Sequence, residues 1–251
     1  MSMKISVKSM RYNFPFQTGR KFVSREEYSL KISGRSHVIS NKIFVKISAP
    51  CKSIYLGTDH HASVFFSLLE RDRGNLKENE EWLHIDWHEH PDNKPLNGRI
   101  FLSPASKLKT VCEYLDWGIW PNVPRYAITV GNFMTAVAHL YPNMTFKFLH
   151  DACKNGEKAT DRHGMRYSEI SPLASWADKA GRTNSRVISL DLDIFGLNSF
   201  SIEKSESDLM KEKIIKMAET SKTIMMFTSP SFIDVGVATK RMEEMVQELI
   251  G

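Results

Sequence analysis

Cysteine is scarce in this chain, with three in 251 residues, at positions 51, 112 and 153. The number is odd, the spacings are wide and there is no Cys-x-x-Cys, which argues against a disulfide framework or a thiolate zinc site. Reduced thiols and a cytoplasmic location are the expectation. Long hydrophobic runs are missing too. Nothing approaches the ~20 apolar residues of a membrane span, and Met1-Ser2-Met3-Lys4 opens no apolar segment of a secretory signal. No membrane partner is expected. Internal repeats and low-complexity tracts are absent. Acidic residues are slightly outnumbered, 29 against 34 Lys and Arg, for a net charge of +5 and a pI near 9.0. The basic residues read as scattered, and no run interleaves them with aromatics as a nucleic-acid groove would. No nucleic-acid partner is therefore expected.

What is present is ordinary globular material. Hydrophobic residues make up 41% and charged residues 25%, enough to build a sizeable core. The length fits a single domain over 1–251. Residues 1–50 read as a small antiparallel β preface packed on it: Lys4–Met10, Tyr28–Gly34 and Val38–Ile47 alternate, with Gly19, Gly34 and Asn41 between them. From Ser53 strands and helices alternate. Strands are expected at Ser53–Gly57, Trp82–Asp86, Thr145–Leu149, Arg186–Asp193 and Thr223–Ser229. Helices are expected at Ala62–Glu70, Ala105–Leu115, Val130–Tyr141, Leu173–Ala180, Ser201–Thr220 and Asp234–Ile250. Residues 154–171 are polar and resist placement. This grammar implies an α/β fold, a mostly parallel central sheet flanked by helices on both faces in three layers. Ligands bind such sheets outside the carboxyl ends of the strands. His60, Asp86, His88, His90, Asp191, Asp193 and Ser229 all fall there.

Two runs carry chemistry. Asp86-Trp87-His88-Glu89-His90 ends an apolar strand with acidic and imidazole side chains at alternate positions, which share a face on extended backbone. Ser189-Leu190-Asp191-Leu192-Asp193 repeats the pattern with two aspartates in sequence otherwise fit for an interior. Buried aspartates are costly unless something positive neutralises them, and a pair of divalent cations would do so for both runs. With His60, the set is imidazole and carboxylate without thiolate, suited to Mn²⁺, Fe²⁺, Co²⁺ or Zn²⁺. Blander readings exist. Asp59 could cap a helix followed by two surface histidines, His60 and His61, and Asp191-x-Asp193 taken alone could serve a nucleotide or a cap. His139 reads as packed or exposed on a helix. His150 could support the ligands from behind, and His163 could shuttle a proton from a polar loop.

Taken in order, Gly57-Thr58-Asp59-His60, Asp86-x-His88-x-His90 and Ser189-x-Asp191-x-Asp193 resemble the three metal-binding segments of the arginase, agmatinase and deacetylase superfamily. The likeness spans about residues 53–235. With Asp59-His60-His61 after the first strand and Ser229-Pro230-Ser231-Phe232-Ile233-Asp234 late in the chain, it resembles a divergent branch, marked by His-x-Asp-x-His-x-x-Asp at the second strand, that includes peptide arginases of ribosomal peptide biosynthesis. The resemblance implies an arginase-like fold and two Mn²⁺ ions. His60 and His90 would hold the first ion, His88 and Asp193 the second, and Asp86 and Asp191 would bridge them and carry catalysis with His88. It implies hydrolysis of arginine residues in a precursor peptide to ornithine and urea. Two departures stand out. His90 sits where the family has Asp, with Asp92 as a substitute, and the guanidinium-gripping carboxylate has no clear counterpart, leaving Asp234 or Glu89. The chain is short for the superfamily, so an open site would suit a peptide side chain. The rivals are an amide hydrolase of the same superfamily, with one zinc on Asp86, His88 and Asp191, and a non-catalytic peptide-binding module.

Overall fold

The computed structural model describes residues 2–16, 19–33, 38–49, 51–87, 102–112, 114–115, 128–129, 132–149, 167–171, 185–196, 204–230 and 232–251. Its strands are β1 (Ser2–Phe16), β2 (Gly19–Ser33), β3 (Val38–Ala49), β4 (Lys52–Gly57), β5 (Glu81–Ile85), β6 (Thr145–Leu149), β7 (Tyr167–Ser171), β8 (Val187–Asp191) and β9 (Thr223–Phe227). Its helices are α1 (Ser63–Asp72), α2 (Leu108–Cys112), α3 (Phe133–Leu140), α4 (Lys204–Ala218) and α5 (Val235–Ile250). All nine strands join one sheet in the order β1-β2-β3-β4-β9-β8-β5-β6-β7. The first four pair antiparallel, and from β4 onward every pairing is parallel. The expected α/β architecture with an N-terminal antiparallel section is the one observed.

Short apolar strands explain the layering. A five-residue strand buried on both faces must be covered twice. Cross-strand register aligns Ile54, Ile224, Ile188 and Leu83 on one face, where α4 and α5 add Ile214, Met217, Met242 and Met245. The opposite face holds Tyr55, Met225 and Trp82, covered by Phe65 and Phe66 of α1, Val111 of α2 and Phe133 of α3. Packing is tight at one glycine on this second face: a Cβ on Gly57 would stand 3.2 Å from the ring of Phe227, its neighbour on β9, and the ring would have to yield by a few tenths of an ångström.

The antiparallel section differs from its expected form in two ways. β1 and β2 run 15 residues each and pair along their whole length, Ser2 with Ser33 and Phe16 with Gly19. β3 matches β2 only between Ser24 and Ser33, so the far end is a two-stranded ribbon. The basic excess is also not scattered. Residues 1–33 hold seven Lys or Arg and two Glu, which is the entire +5, and the remainder holds 27 of each sign. Smaller differences lie at element ends. The strand expected to reach Asp193 stops at Asp191 and turns into a 3-10 segment, Leu192–Phe195. Residues 154–171, unplaced from sequence, include β7. The helix expected at 173–180 lies outside the described residues. Among those described, no helix is long and apolar enough to cross a membrane.

A buried ion pair ties the antiparallel strands to the parallel core. Lys46 of β3 donates to Glu70 of α1 at 2.8 Å, with side chains 6% and 1% exposed. The same carboxylate accepts from the Tyr55 hydroxyl and from Asn75 Nδ2 at 3.0 Å. Arg73 extends the network, reaching the Tyr55 oxygen at 3.2 Å and Glu26 of β2 at 3.1 Å. Burial pushes the Glu70 carboxyl up, but the bonds from Lys46, Tyr55 and Asn75 outweigh it and hold the group below its ordinary 4.5. A depressed carboxylate contributes stability that is complete above the ordinary value and is lost as pH falls through the folded one. Lys46→Met, which strands the carboxylate, should cost about 3 kcal/mol in urea unfolding at neutral pH. The cost should shrink as pH falls below the ordinary carboxylate range and Glu70 takes up its proton. A cost that does not change with pH would show that the charge pair contributes nothing.

Candidate metal centre

The second sheet face ends in acids. Along β5 the residues Trp82, His84 and Asp86 alternate onto it, and along β8 so do Val187, Ser189 and Asp191. Ile85 pairs with Leu190, so Asp86 and Asp191 come next in register on adjacent parallel strands. Both are buried. Their backbones lie about 4.8 Å apart, the ordinary strand spacing. Two carboxylates at that separation in an apolar interior repel strongly.

His60 enters from the 3-10 turn His60–Ala62 that follows β4. Its Nδ1 lies 2.8 Å from Asp191 Oδ2 and 3.8 Å from Asp86 Oδ2. An ionised carboxylate only accepts, so the His60 Nδ1–H donates to Asp191. One ligand atom from each of His60, Asp86 and Asp191 lies within 4.8 Å of the others. Ligands bound about 2.0–2.2 Å from one ion stand roughly 3–4 Å apart, so a small contraction closes the group on a cation. Asp193 is buried beside it. Its Oδ1 accepts from the Trp87 N–H at 3.1 Å, and its own N–H donates to Asp191 Oδ1 at 3.3 Å. The 3-10 turn thus uses Asp193 to brace the strand end, a bend that strand alternation alone did not foresee.

A polar chain runs beneath the acids. The Trp82 indole N–H donates to Ser189 Oγ at 2.7 Å, and that oxygen lies 2.8 Å from His84 Nδ1. His84 Nε2 faces Asp86 Oδ2 at 3.3 Å. The indole can only donate. Beside the Asp86 carboxylate, the proton of a neutral His84 belongs on Nε2. Nδ1 then accepts, and the Ser189 hydroxyl supplies its proton there. Phe133 packs at a tilt against His60 at 4.8 Å and edge-on to His84 at 5.2 Å, and Phe148 meets His84 edge-on at 5.3 Å. These rings keep water from one side of the cluster. Alternation places His84 on the same face as Asp86, and the use of its ring shows only with Ser189 and Trp82 beside it.

The other candidates divide. His60 and His61 are both buried, so they are not surface histidines, and Asp59 makes no side-chain cap. Of the two, His60 joins the acids. Asp234 is exposed and its Oδ1 accepts from Val237 N–H at 3.0 Å as the N-cap of α5. Asp234 therefore already has a structural use. His139 is exposed on α3. His88, Glu89, His90, Asp92, His150 and His163 lie outside the described residues. Ser229 follows β9 with φ 41°, a left-handed conformation costly for a side-chain-bearing residue. Its N–H bonds the Thr58 carbonyl at 2.8 Å, which holds the His60 turn against the end of β9.

The donor set fits a divalent cation: two buried carboxylates and one imidazole converge, with no thiolate among them. Ser189→Ala should remove the proton that fixes His84. Mn²⁺ affinity, read by calorimetry, should then fall about ten- to a hundredfold with little loss of fold. Unchanged affinity would detach the Trp82–Ser189–His84 chain from the cluster.

No family model matches the chain, and no curated protein does. Among solved structures it is similar to the agmatine ureohydrolase of Thermoplasma volcanium, with 14% identity and a TM-score of 0.39, over 78% of this chain. The chain spans 60% of that protein's length.

Proposed function

We propose that this chain is a metal-dependent hydrolase of carbon–nitrogen bonds, acting on the guanidino group of arginine residues in a peptide. The observation that carries the reading is the buried convergence of His60, Asp86 and Asp191 at the carboxyl ends of adjacent strands. A metal pair would take His60, Asp86 and Asp191 with Asp193 and, from the adjoining segment, His88 and His90; Mn²⁺ suits such nitrogen and oxygen donors. Bound there, two divalent ions supply Lewis acidity and bring the pKa of water toward neutrality.

The chain's own groups do the remaining work. Asp86 and Asp191 present two negative charges toward one point, which favours a cationic substrate carbon as well as the metals. The Trp82–Ser189–His84 chain fixes the His84 ring, which sets its Nε2 3.3 Å from Asp86 Oδ2. Phe133 and Phe148 close one side, so the carboxylates act in a low-dielectric setting where charge counts for more. The reaction balances with water alone. Water adds to the guanidinium carbon, the bond from that carbon to the side-chain nitrogen breaks, and the nitrogen takes up a proton. The products are ornithine and urea.

Metal stoichiometry separates this reading from the amide-hydrolase alternative, because three donors are enough for one ion. Two ions per chain by elemental analysis support the arginase chemistry, and one tightly held zinc favours the alternative. The direct test is mass spectrometry of Arg-containing peptides incubated with protein and Mn²⁺. Each converted arginine should lose the mass of cyanamide, and Asp191→Asn should lower turnover at least about a hundredfold. Equal turnover by that variant would remove Asp191 from the chemistry, and no turnover by either protein would favour a peptide-binding role.

A further inference from the structure

The opposite end of the same strands forms a second concave site. A cleft of about 470 Å³ opens where β4 and β9 begin, beside Arg186 just ahead of β8. It lies on the order of 15 Å from the acidic cluster, the length of a five-residue strand. Ligand sites of small molecules fall in this size range.

The lining is polar and cationic. Lys46, Lys52, Lys77, Arg186 and Lys222 face two carboxylates, Glu70 and Glu80. Both carboxylates are already engaged. Glu70 holds Lys46, and Glu80 accepts from the Lys77 backbone N–H at 3.2 Å while lying 3.9 Å from Arg186 Nε. The floor carries the hydroxyls of Ser53 and Thr223, residues 9% and 1% exposed. Both residues line a cleft with a surplus of positive charge, where a hydroxyl can donate to an anion's oxygens. Lys52 donates to the carbonyls of Ala218 and Glu219 at the end of α4, at 2.6 and 2.8 Å, which leaves one ammonium proton for the cleft. Burial lowers its pKa, against the pull of Glu219. An anion alongside would favour its charged form.

We propose that this cleft binds a small, densely charged oxyanion of the phosphate-ester or pyrophosphate class. Ser53, Thr223, Lys52 and Lys222 donate to its oxygens, and Arg186 offers a planar fork. Among the described residues that line it none is aromatic, and only Ala49 and Cys51 are apolar. A nucleobase or an acyl chain would therefore find no surface to cover it. The assignment is independent of the hydrolase reading, because the two sites lie at opposite strand ends.

The test is calorimetric titration of pyrophosphate at constant ionic strength, in buffer without added divalent metal, with inorganic phosphate for comparison. The unaltered protein should bind pyrophosphate more tightly than phosphate and gain thermal stability with it. The double variant Lys222→Gln, Thr223→Val should lose at least tenfold in affinity. Its melting temperature without ligand reports whether it folds, and Arg186→Gln is the second variant if it does not. Asp191→Asn should bind as the unaltered protein does. No binding, equal binding by the cleft variants, or loss of binding in Asp191→Asn would each overturn the proposal.

Discussion

Two carboxylates side by side in a dry interior set the terms for this molecule. Asp86 and Asp191 end neighbouring parallel strands on one face, in one register row, and neither reaches water. Left alone, the two charges would repel across an interior that screens them little. The surroundings answer that repulsion with specific groups. His60 is held against Asp191 by the turn after β4, and His84 stands behind Asp86 on its own strand. Gly57 leaves space for Phe227 in the same row, and the strained Ser229 pins the His60 turn in place. Each of these is hard to explain as packing alone.

Chain topology makes the convergence possible. Parallel strands bring all their carboxyl ends to one edge of the sheet, so residues 60, 86 and 191 meet despite their distance in sequence. The helical layers then determine the dielectric. α3 packs Phe133 against both histidines, while the other face is filled by aliphatic side chains from α4 and α5. Charge–charge interactions in such a site are screened far less than at a surface. The same strands begin at a wet, cationic cleft, so the sheet carries opposite potentials at its two edges.

Much of this was readable from residue order, for identifiable reasons. Thr145–Leu149 is a strand by simple alternation, and the structure keeps those bounds. The strand expected over Thr223–Ser229 stops two residues earlier, at Phe227, because β-compatible Thr228 and Ser229 carry no mark of where pairing ends. The Asp86 and Asp191 cluster was legible because acids in apolar strands stand out. His84 was not singled out, since a histidine inside a strand has no distinctive neighbour until Ser189 and Trp82 are seen beside it. Asp193 was placed by strand periodicity, and the 3-10 turn at Leu192 breaks that periodicity. The Lys46–Glu70 pair joins residues 24 apart through tertiary packing, and no local pattern announces it. The length of the β1–β2 ribbon was also hidden, because its outer half lacks the clean alternation that a half-buried strand would show.

That ribbon has a consequence for how the protein behaves in bulk. Since residues 1–33 contain the whole formal excess of +5, the remaining body is electrically balanced at neutral pH. The molecule is therefore a strong dipole with one pole on an edge hairpin rather than a uniformly basic particle. Colloidal repulsion between copies rests on that hairpin alone. Clipping it would leave a particle near its isoelectric point with a freshly bared sheet margin, the combination that drives strand-to-strand association.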